Sequence, residues 1–221
     1  MIKAIIFDLD GTILDRNASL KHFLATQYDR LAEKLNQITK IDYISRFVEL
    51  DCRGYAGKEK VYKTILSEFD IQTISCEELV SDREIHFIDS CIPFPNLIET
   101  LDILTKTGYL LGMITNGRGN FQRRKIQMLG IEKYFPSILI SEVEGISKPA
   151  AEIFLRALGN LDVLPDESVF IGDHPINDIM GAQSVGMKAI WKRDYVWEIP
   201  ENPDGIIDDL GELPLLIRRL V

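Results

Sequence analysis

The feature that most constrains the fold is a short apolar run near the N-terminus, Ala4–Phe7. A run without polar alternation is typical of a strand buried on both faces, as in a parallel sheet covered by helices. Asp8 follows the run and Asp10 comes two residues later, so both carboxylates lie on one side of an extended chain. Two acids there repel each other and resist desolvation, and a divalent cation is the simplest compensating partner.

The same stretch has a simpler interpretation. Asp10-Gly11 between apolar residues is a typical two-residue turn of a β-hairpin. From this stretch alone, a hairpin and a catalytic loop are equally good hypotheses, so the rest of the chain has to decide between them.

Composition excludes several classes of protein. The 221 residues suffice for one large domain, or for one domain with an insertion, and the formal net charge of −9 disfavours binding to nucleic acid. No apolar stretch is long enough to span a membrane, and the chain opens on a strand, so we expect no signal peptide. Three cysteines without metal-site spacing, Cys52, Cys76 and Cys91, predict reduced thiols. We therefore expect a cytoplasmic protein.

A charged helical region follows the first strand. From about Ser19 to Cys91, apolar residues recur at spacings of three and four, which predicts helices and no strand. We expect one helix in each of the stretches 20–35, 43–50, 61–69 and 79–88. Pro93 and Pro95 then break the chain. This pattern predicts a helical cap at residues 15–92, inserted into a core formed by residues 1–14 and 93–221.

From Gly108 the rhythm changes to strand, loop and helix. Strands are predicted at 109–115, 138–141, 168–171, 188–191 and 206–207, and helices at 121–129, 151–158, 176–185 and 213–220. Such alternation predicts an α/β fold in which a parallel sheet, joined by the first strand, is flanked by helices. The insertion then lies above the carboxyl ends of the strands, where ligands bind, and is placed to act as a lid.

Further polar residues stand at the ends of the predicted strands. Thr115-Asn116 could bind an anionic oxygen or form an ordinary turn, and Lys148 could face an anion or simply be exposed. Asp173 ends another apolar strand, and Asp178 follows five residues later, where it could also cap a helix. Taken together, the carboxylates could hold Mg²⁺ while the hydroxyl and the ammonium group bind a phosphate.

At this point the chain resembles a known family. Asp8-Leu9-Asp10-Gly11-Thr12, Thr115-Asn116, Lys148-Pro149 and the segment 172–178 match, in order, the four motifs of the haloacid dehalogenase-like hydrolase superfamily. The resemblance covers the whole chain, including a cap inserted after the first motif. It implies a Rossmannoid core with a small all-helical cap, and a Mg²⁺-dependent phosphatase.

The resemblance also implies a role for each residue. Asp8 would be the nucleophile that forms an aspartyl-phosphate, and Asp10 the general acid that protonates the leaving alcohol and later activates water. Thr115, helped by Asn116, would bind the phosphoryl oxygens. Lys148 would neutralise the nucleophile and the transferring group.

The metal set implied by the resemblance consists of Asp8, Asp10 (through its backbone carbonyl), Asp173 and Asp178. Asp173 would ligate Mg²⁺ directly, and Asp178 would support it or bind its waters. The implied substrate is a small soluble phosphate monoester, such as a nucleotide or a sugar phosphate, and the protein could be a monomer or a homodimer.

Several alternatives stay open. Hydrolytic dehalogenases of the superfamily share the nucleophile but typically lack the acid found here as Asp10, since a halide leaves without a proton. A phosphomutase would keep Asp10 and differ in the cap. A receiver domain has no room for such an insertion, and a non-catalytic relative would be expected to lose a catalytic residue. Selectivity would lie in cap side chains, for which the candidates are Arg16, Arg46, Arg53, Tyr55 and Lys58; Arg46 and Lys58 are expected only to solvate helix faces.

Overall fold

The computed structural model describes residues 1–220, which form two compact units. One unit comprises Met1–Asp15 and Pro93–Val221, and the other Arg16–Ile92. We call them the sheet unit and the helical unit.

The sheet unit contains six parallel strands in the order β3-β2-β1-β4-β5-β6. The strands are β1 Ala4–Phe7, β2 Leu110–Thr115, β3 Ser137–Ile140, β4 Ser168–Gly172, β5 Lys188–Lys192 and β6 Gly205–Ile207. The predicted α/β fold with a parallel sheet is therefore confirmed.

The first strand lies in the middle of this sheet. Ala4 pairs with Leu110 of β2 on one side and with Ser168 of β4 on the other. All four residues of β1 are buried, as expected for an apolar strand covered on both faces. The hairpin interpretation of Asp10-Gly11 is wrong, because both neighbours of β1 run parallel to it.

Helices complete the sheet unit. They are α5 Leu97–Lys106, α6 Gly119–Met128, α7 Ser141–Glu144, α8 Ala151–Leu161, α9 Gly181–Ser184 and α10 Leu213–Arg219, with a π-helical turn at Pro175–Met180. Phe154 of α8 packs edge-on against Phe170 of β4, within one apolar core that also includes Ile6 and Trp191. The sequence did not predict α7, and the predicted helix at 176–185 is a π-helical turn followed by a short α-helix.

The helical unit contains four α-helices and no strand in Arg16–Ile92, all of which the structure describes. They are α1 Arg16–Arg30, α2 Lys40–Asp51, α3 Lys58–Glu68 and α4 Cys76–His86. The first helix ends at Arg30 and does not continue to Leu35. Turns follow it, and they still bury Leu35. The helical spacing of apolar residues therefore continues beyond Arg30 and does not mark where the helix ends.

Capping side chains fix where two of these helices begin. The Thr39 hydroxyl accepts a hydrogen bond from Asp42 N, and Ser75 and Glu78 form a reciprocal capping box at the start of α4. None of the helices in residues 1–220 is long and apolar enough to cross a membrane.

Candidate active site

Three neighbouring strands bring the predicted site residues to one edge of the sheet. Asp8 follows β1, Thr115 ends β2 and Asp173 follows β4, and these strands lie side by side in the order β2-β1-β4. Carboxylate oxygens of Asp8, Asp173 and Asp178 lie within 4.8 Å of one another, and all three residues are buried. The topology therefore assembles acids that are far apart in the sequence.

Lys148 lies between two of these carboxylates. Its Nζ atom is 2.6 Å from Asp8 Oδ1 and 2.6 Å from Asp178 Oδ1, and the residue is only 4% exposed. It also lies over the Phe170 ring, 5.1 Å from the centroid. The interpretation of Lys148 as an exposed surface lysine is wrong.

Asn116 contacts the backbone of Lys148. Its Nδ2 donates to Lys148 O at 2.9 Å, and its Oδ1 accepts from Lys148 N at 3.0 Å. The side-chain amide thus ties the loop after β2 to the loop that carries the lysine. The part in phosphate binding that the sequence assigned to Asn116 stays a prediction.

The loop after β4 orients the second pair of acids. Asp178 Oδ2 accepts from His174 N at 2.9 Å, and the Trp191 indole donates to Asp173 O at 2.7 Å. A Cβ atom on Gly172 would lie 2.4 Å from Asp178 Cβ, so only glycine permits this close approach. His174 Nδ1 accepts from Asn177 N, which makes this side chain a cap of the π-helical turn.

Burial and charge shift the pKa values of the site. Burial raises the pKa of Asp8 to about 7, although Lys148 acts in the opposite direction. Burial, reinforced by Asp178 and Asp8, raises the pKa of Asp173 well above its usual value. Burial would lower the pKa of Lys148, but Asp178 and Asp8 outweigh it and the pKa rises. The cluster is thus short of positive charge.

The donor set fits a hard divalent cation. The three buried carboxylates carry three negative charges when ionised, and Lys148 supplies one positive charge. A divalent cation would supply the remaining two positive charges. Carboxylate oxygens are the ligands that Mg²⁺ prefers, with water completing its shell. Asp8, Asp173 and Asp178 are the residues that could hold it.

Asp10 lies apart from this cluster and contacts helix α6. Lys125 Nζ is 2.8 Å from Asp10 Oδ1 and 2.9 Å from Asp10 Oδ2. Gln122 Nε2 donates to Asp10 Oδ2 at 2.8 Å and to Thr115 Oγ1 at 2.6 Å. The Asp10 carboxylate is therefore held by two side chains of one helix, and Gln122 links it to the Thr115 hydroxyl.

Sequence reasoning missed both residues of α6. Gln122 and Lys125 stand three apart in a segment that contains Arg123 and Arg124, so they look like part of a solvated face. A signal was present nonetheless. Gln122 and Lys125 share one side of the helix with the apolar Ile126, and all three are buried.

Comparisons with known proteins agree with this fold. Residues 5–192 match the model of the haloacid dehalogenase-like hydrolase family, and the chain belongs to that family. It is 30% identical to a glyceraldehyde 3-phosphate phosphatase from Pyrococcus abyssi, over 86% of this chain and 81% of the relative.

Two solved structures also resemble the whole chain. A HAD phosphatase from Thermococcus onnurineus is 31% identical, with a TM-score of 0.68 and 98% of each chain covered. A 2-haloacid dehalogenase from Pseudomonas syringae pv. Tomato DC3000 is 30% identical, with a TM-score of 0.69 and all of both chains covered.

Proposed function

We propose that this hydrolase is a Mg²⁺-dependent phosphatase that cleaves a small soluble phosphate monoester through an aspartyl-phosphate on Asp8. The observation that carries the proposal is the buried cluster in which Lys148 contacts both Asp8 and Asp178, beside Asp173. Phosphoryl transfer depends mainly on positioning and on neutralising charge, and this cluster is suited to both.

Each residue then has a step. Lys148 holds Asp8 Oδ1, which leaves Oδ2 to attack phosphorus. The phosphorus–oxygen ester bond breaks, and the alcohol oxygen takes a proton from Asp10. Water next attacks the aspartyl-phosphate and gives its proton to Asp10. Inorganic phosphate leaves, and Asp8 is restored.

Further groups would hold the phosphate in place. Thr115 Oγ1 accepts from Gln122, so its own hydrogen can be donated to a phosphoryl oxygen. Bound Mg²⁺ would offset the charge of the transferring group, and Asp8, Asp173, Asp178 and the backbone carbonyl of Asp10 would hold it.

The substrate class rests on similarity and composition. Relatives carry names such as glyceraldehyde 3-phosphate phosphatase and phosphoglycolate phosphatase, which indicates a small phosphorylated metabolite. We propose that Arg16–Ile92 acts as a cap that selects this metabolite. A net charge of −9 disfavours nucleic acid as a partner. The proposal includes a cytoplasmic location, and a monomer or a homodimer.

A hydrolytic dehalogenase is the second candidate. The whole-chain similarity to a 2-haloacid dehalogenase favours it. Asp10 argues against it, because a halide leaves without a proton. The two functions differ in the product released and in their dependence on Mg²⁺.

The test is hydrolysis of p-nitrophenyl phosphate with and without Mg²⁺. Wild type should be active only with the metal, and Asp8→Asn should lose activity by about 1,000-fold or more, since no nucleophile is left. Asp166→Asn, which removes an exposed carboxylate, is the matched control and should keep activity. Metal-independent release of halide from a 2-haloacid, without phosphate release, would instead establish the dehalogenase.

A further inference from the structure

Helix α6 presents a buried cation to a residue of the proposed reaction. Lys125 is 5% exposed, and its Nζ lies within 2.9 Å of both Asp10 oxygens. Burying an ammonium group is costly unless a charged partner compensates it, so a lysine at this place in the fold needs an explanation.

The contacts fix the orientation of the Asp10 carboxyl group. Two donors from α6 converge on it, since Lys125 binds both oxygens and Gln122 donates to Oδ2. The side chain of Asp10 is about one fifth exposed, at 20%. One turn of helix therefore sets the direction in which this partly open carboxyl group points.

We propose that Lys125 and Gln122 are positioning residues that hold Asp10 where it delivers a proton to the leaving alcohol. The inference rests on the proposed phosphatase function and adds residues that the four sequence motifs do not contain. Gln122 serves two groups at once, because its second hydrogen goes to Thr115 Oγ1. The proton donor and the phosphate-binding hydroxyl are thus aligned by one amide.

The benefit of proton delivery by Asp10 depends on the leaving group of the substrate. When the ester bond breaks, an alkoxide or phenolate needs a proton in proportion to its basicity, whereas p-nitrophenolate leaves readily without one. The value of kcat/KM reports the first transfer, up to loss of the leaving group. Misplacing Asp10 should therefore lower kcat/KM for phenyl phosphate much more than for p-nitrophenyl phosphate.

The experiment measures both substrates, with Mg²⁺, for wild type and Lys125→Met. We expect kcat/KM to fall about tenfold or more with phenyl phosphate and by less than about threefold with p-nitrophenyl phosphate, since small displacements of a catalytic group are costly. The comparison is made within one sample, so the ratio does not depend on how much of the variant is folded.

Three further variants sharpen the test. Arg123→Met removes a positive charge from an exposed position of the same helix and should leave the ratio unchanged. Lys125→Arg, which keeps the charge, should restore part of the activity on phenyl phosphate. Gln122→Met should shift the ratio in the same direction, and its combination with Lys125→Met should cost less than the sum because both act on Asp10.

Each outcome separates the inference from the function on which it rests. An equal loss on both substrates, or no loss on either, would overturn the positioning role while leaving the phosphatase intact. Wild type that releases phosphate neither from these two substrates nor from a panel of small metabolite phosphates would overturn the phosphatase, and the positioning role with it.

Discussion

At the scale of single residues, the loop after β1 depends on a close approach that only glycine allows. Gly11 has φ +95°, and a Cβ atom on it would lie 2.5 Å from Asp173 Oδ2. The two motifs that carry the acids are thus in contact, and a side chain at position 11 would have to push the Asp173 carboxylate aside.

Gly11→Ala should therefore weaken the proposed Mg²⁺ site. We expect the Mg²⁺ concentration for half-maximal activity to rise about tenfold or more, as for other changes that misdirect a metal ligand. Gly108→Ala is the matched control, since Gly108 has φ +98° and nothing within 4 Å of its added Cβ. Both variants should lose about 1 kcal/mol of stability to backbone strain. Equal Mg²⁺ requirements in both variants would contradict the explanation.

Single residues also show which parts of the candidate site can be predicted from the sequence. Asp8 and Asp173 were predictable, because an acid at the end of a buried strand is unusual and parallel strands end at one edge. Lys125 was not, because a lysine beside two arginines looks solvated unless the contacts of its helix are known. Asn116 was assigned to the site, but its contact with the Lys148 backbone depends on which loops meet.

At the scale of elements, a largely buried ion cluster links three helices of the helical unit. Asp51, at the end of α2, is 1% exposed and lies 2.6 Å from Arg16 Nη2 and 2.5 Å from Lys58 Nζ. These contacts join the start of α1, the end of α2 and the start of α3. The expectation that Lys58 only solvates a helix face is wrong, whereas Arg46 does form ion pairs at the surface with Glu49 and Glu68.

Asp51→Asn should destabilise the protein by about 3 kcal/mol at pH 7, because it leaves two largely buried cations without their carboxylate. Burial alone would raise the pKa of Asp51, but Arg16 and Lys58 outweigh it and the pKa falls. A carboxyl group whose pKa is lowered in the folded protein stabilises that protein at pH values above the pKa of the unfolded chain, which is near 4. This stabilisation is lost as the pH falls through the lower pKa of the folded state. The gap between variant and wild type should therefore close only below about pH 4.

Urea unfolding from pH 7 down to pH 3 measures this gap. Glu68→Gln is the control, because it breaks an exposed ion pair with Arg46 that solvent screens, and it should hardly move the midpoint. A gap that is constant with pH would show that Asp51 contributes through packing and not through its charge.

At the scale of the whole molecule, the alternation of strands and helices after Gly108 predicted the class of fold but not the order of the strands. Sequence pattern shows which strands are buried, and it does not show which lie next to each other. β1 is central because the chain first adds β2 and β3 on one side of it and then crosses back to add β4, β5 and β6 on the other side. This place is what brings Asp8 between Thr115 and Asp173.

Removal of the helical unit tests the organisation of the whole molecule. The chain leaves and re-enters the sheet unit at neighbouring points, since Leu14 and Pro93 pair as an antiparallel bridge and Phe94 N donates to Ile13 O at 2.9 Å. Paired residues of this kind lie about 5 Å apart, so a linker of about four Gly and Ser residues can replace Arg16–Ile92. The shortened chain should fold cooperatively and keep Mg²⁺-dependent activity on p-nitrophenyl phosphate.

The selectivity of the shortened chain should change more than its activity. If selectivity lies in the helical unit, the full chain should favour one metabolite phosphate in a panel, and the shortened chain should hydrolyse the same panel with nearly equal kcat/KM. Circular dichroism and urea unfolding of the shortened chain establish first that it is folded. A folded, active core that keeps the preference of the full chain would place the selectivity in the sheet unit, and our assignment of Arg16–Ile92 as the selecting cap would be wrong.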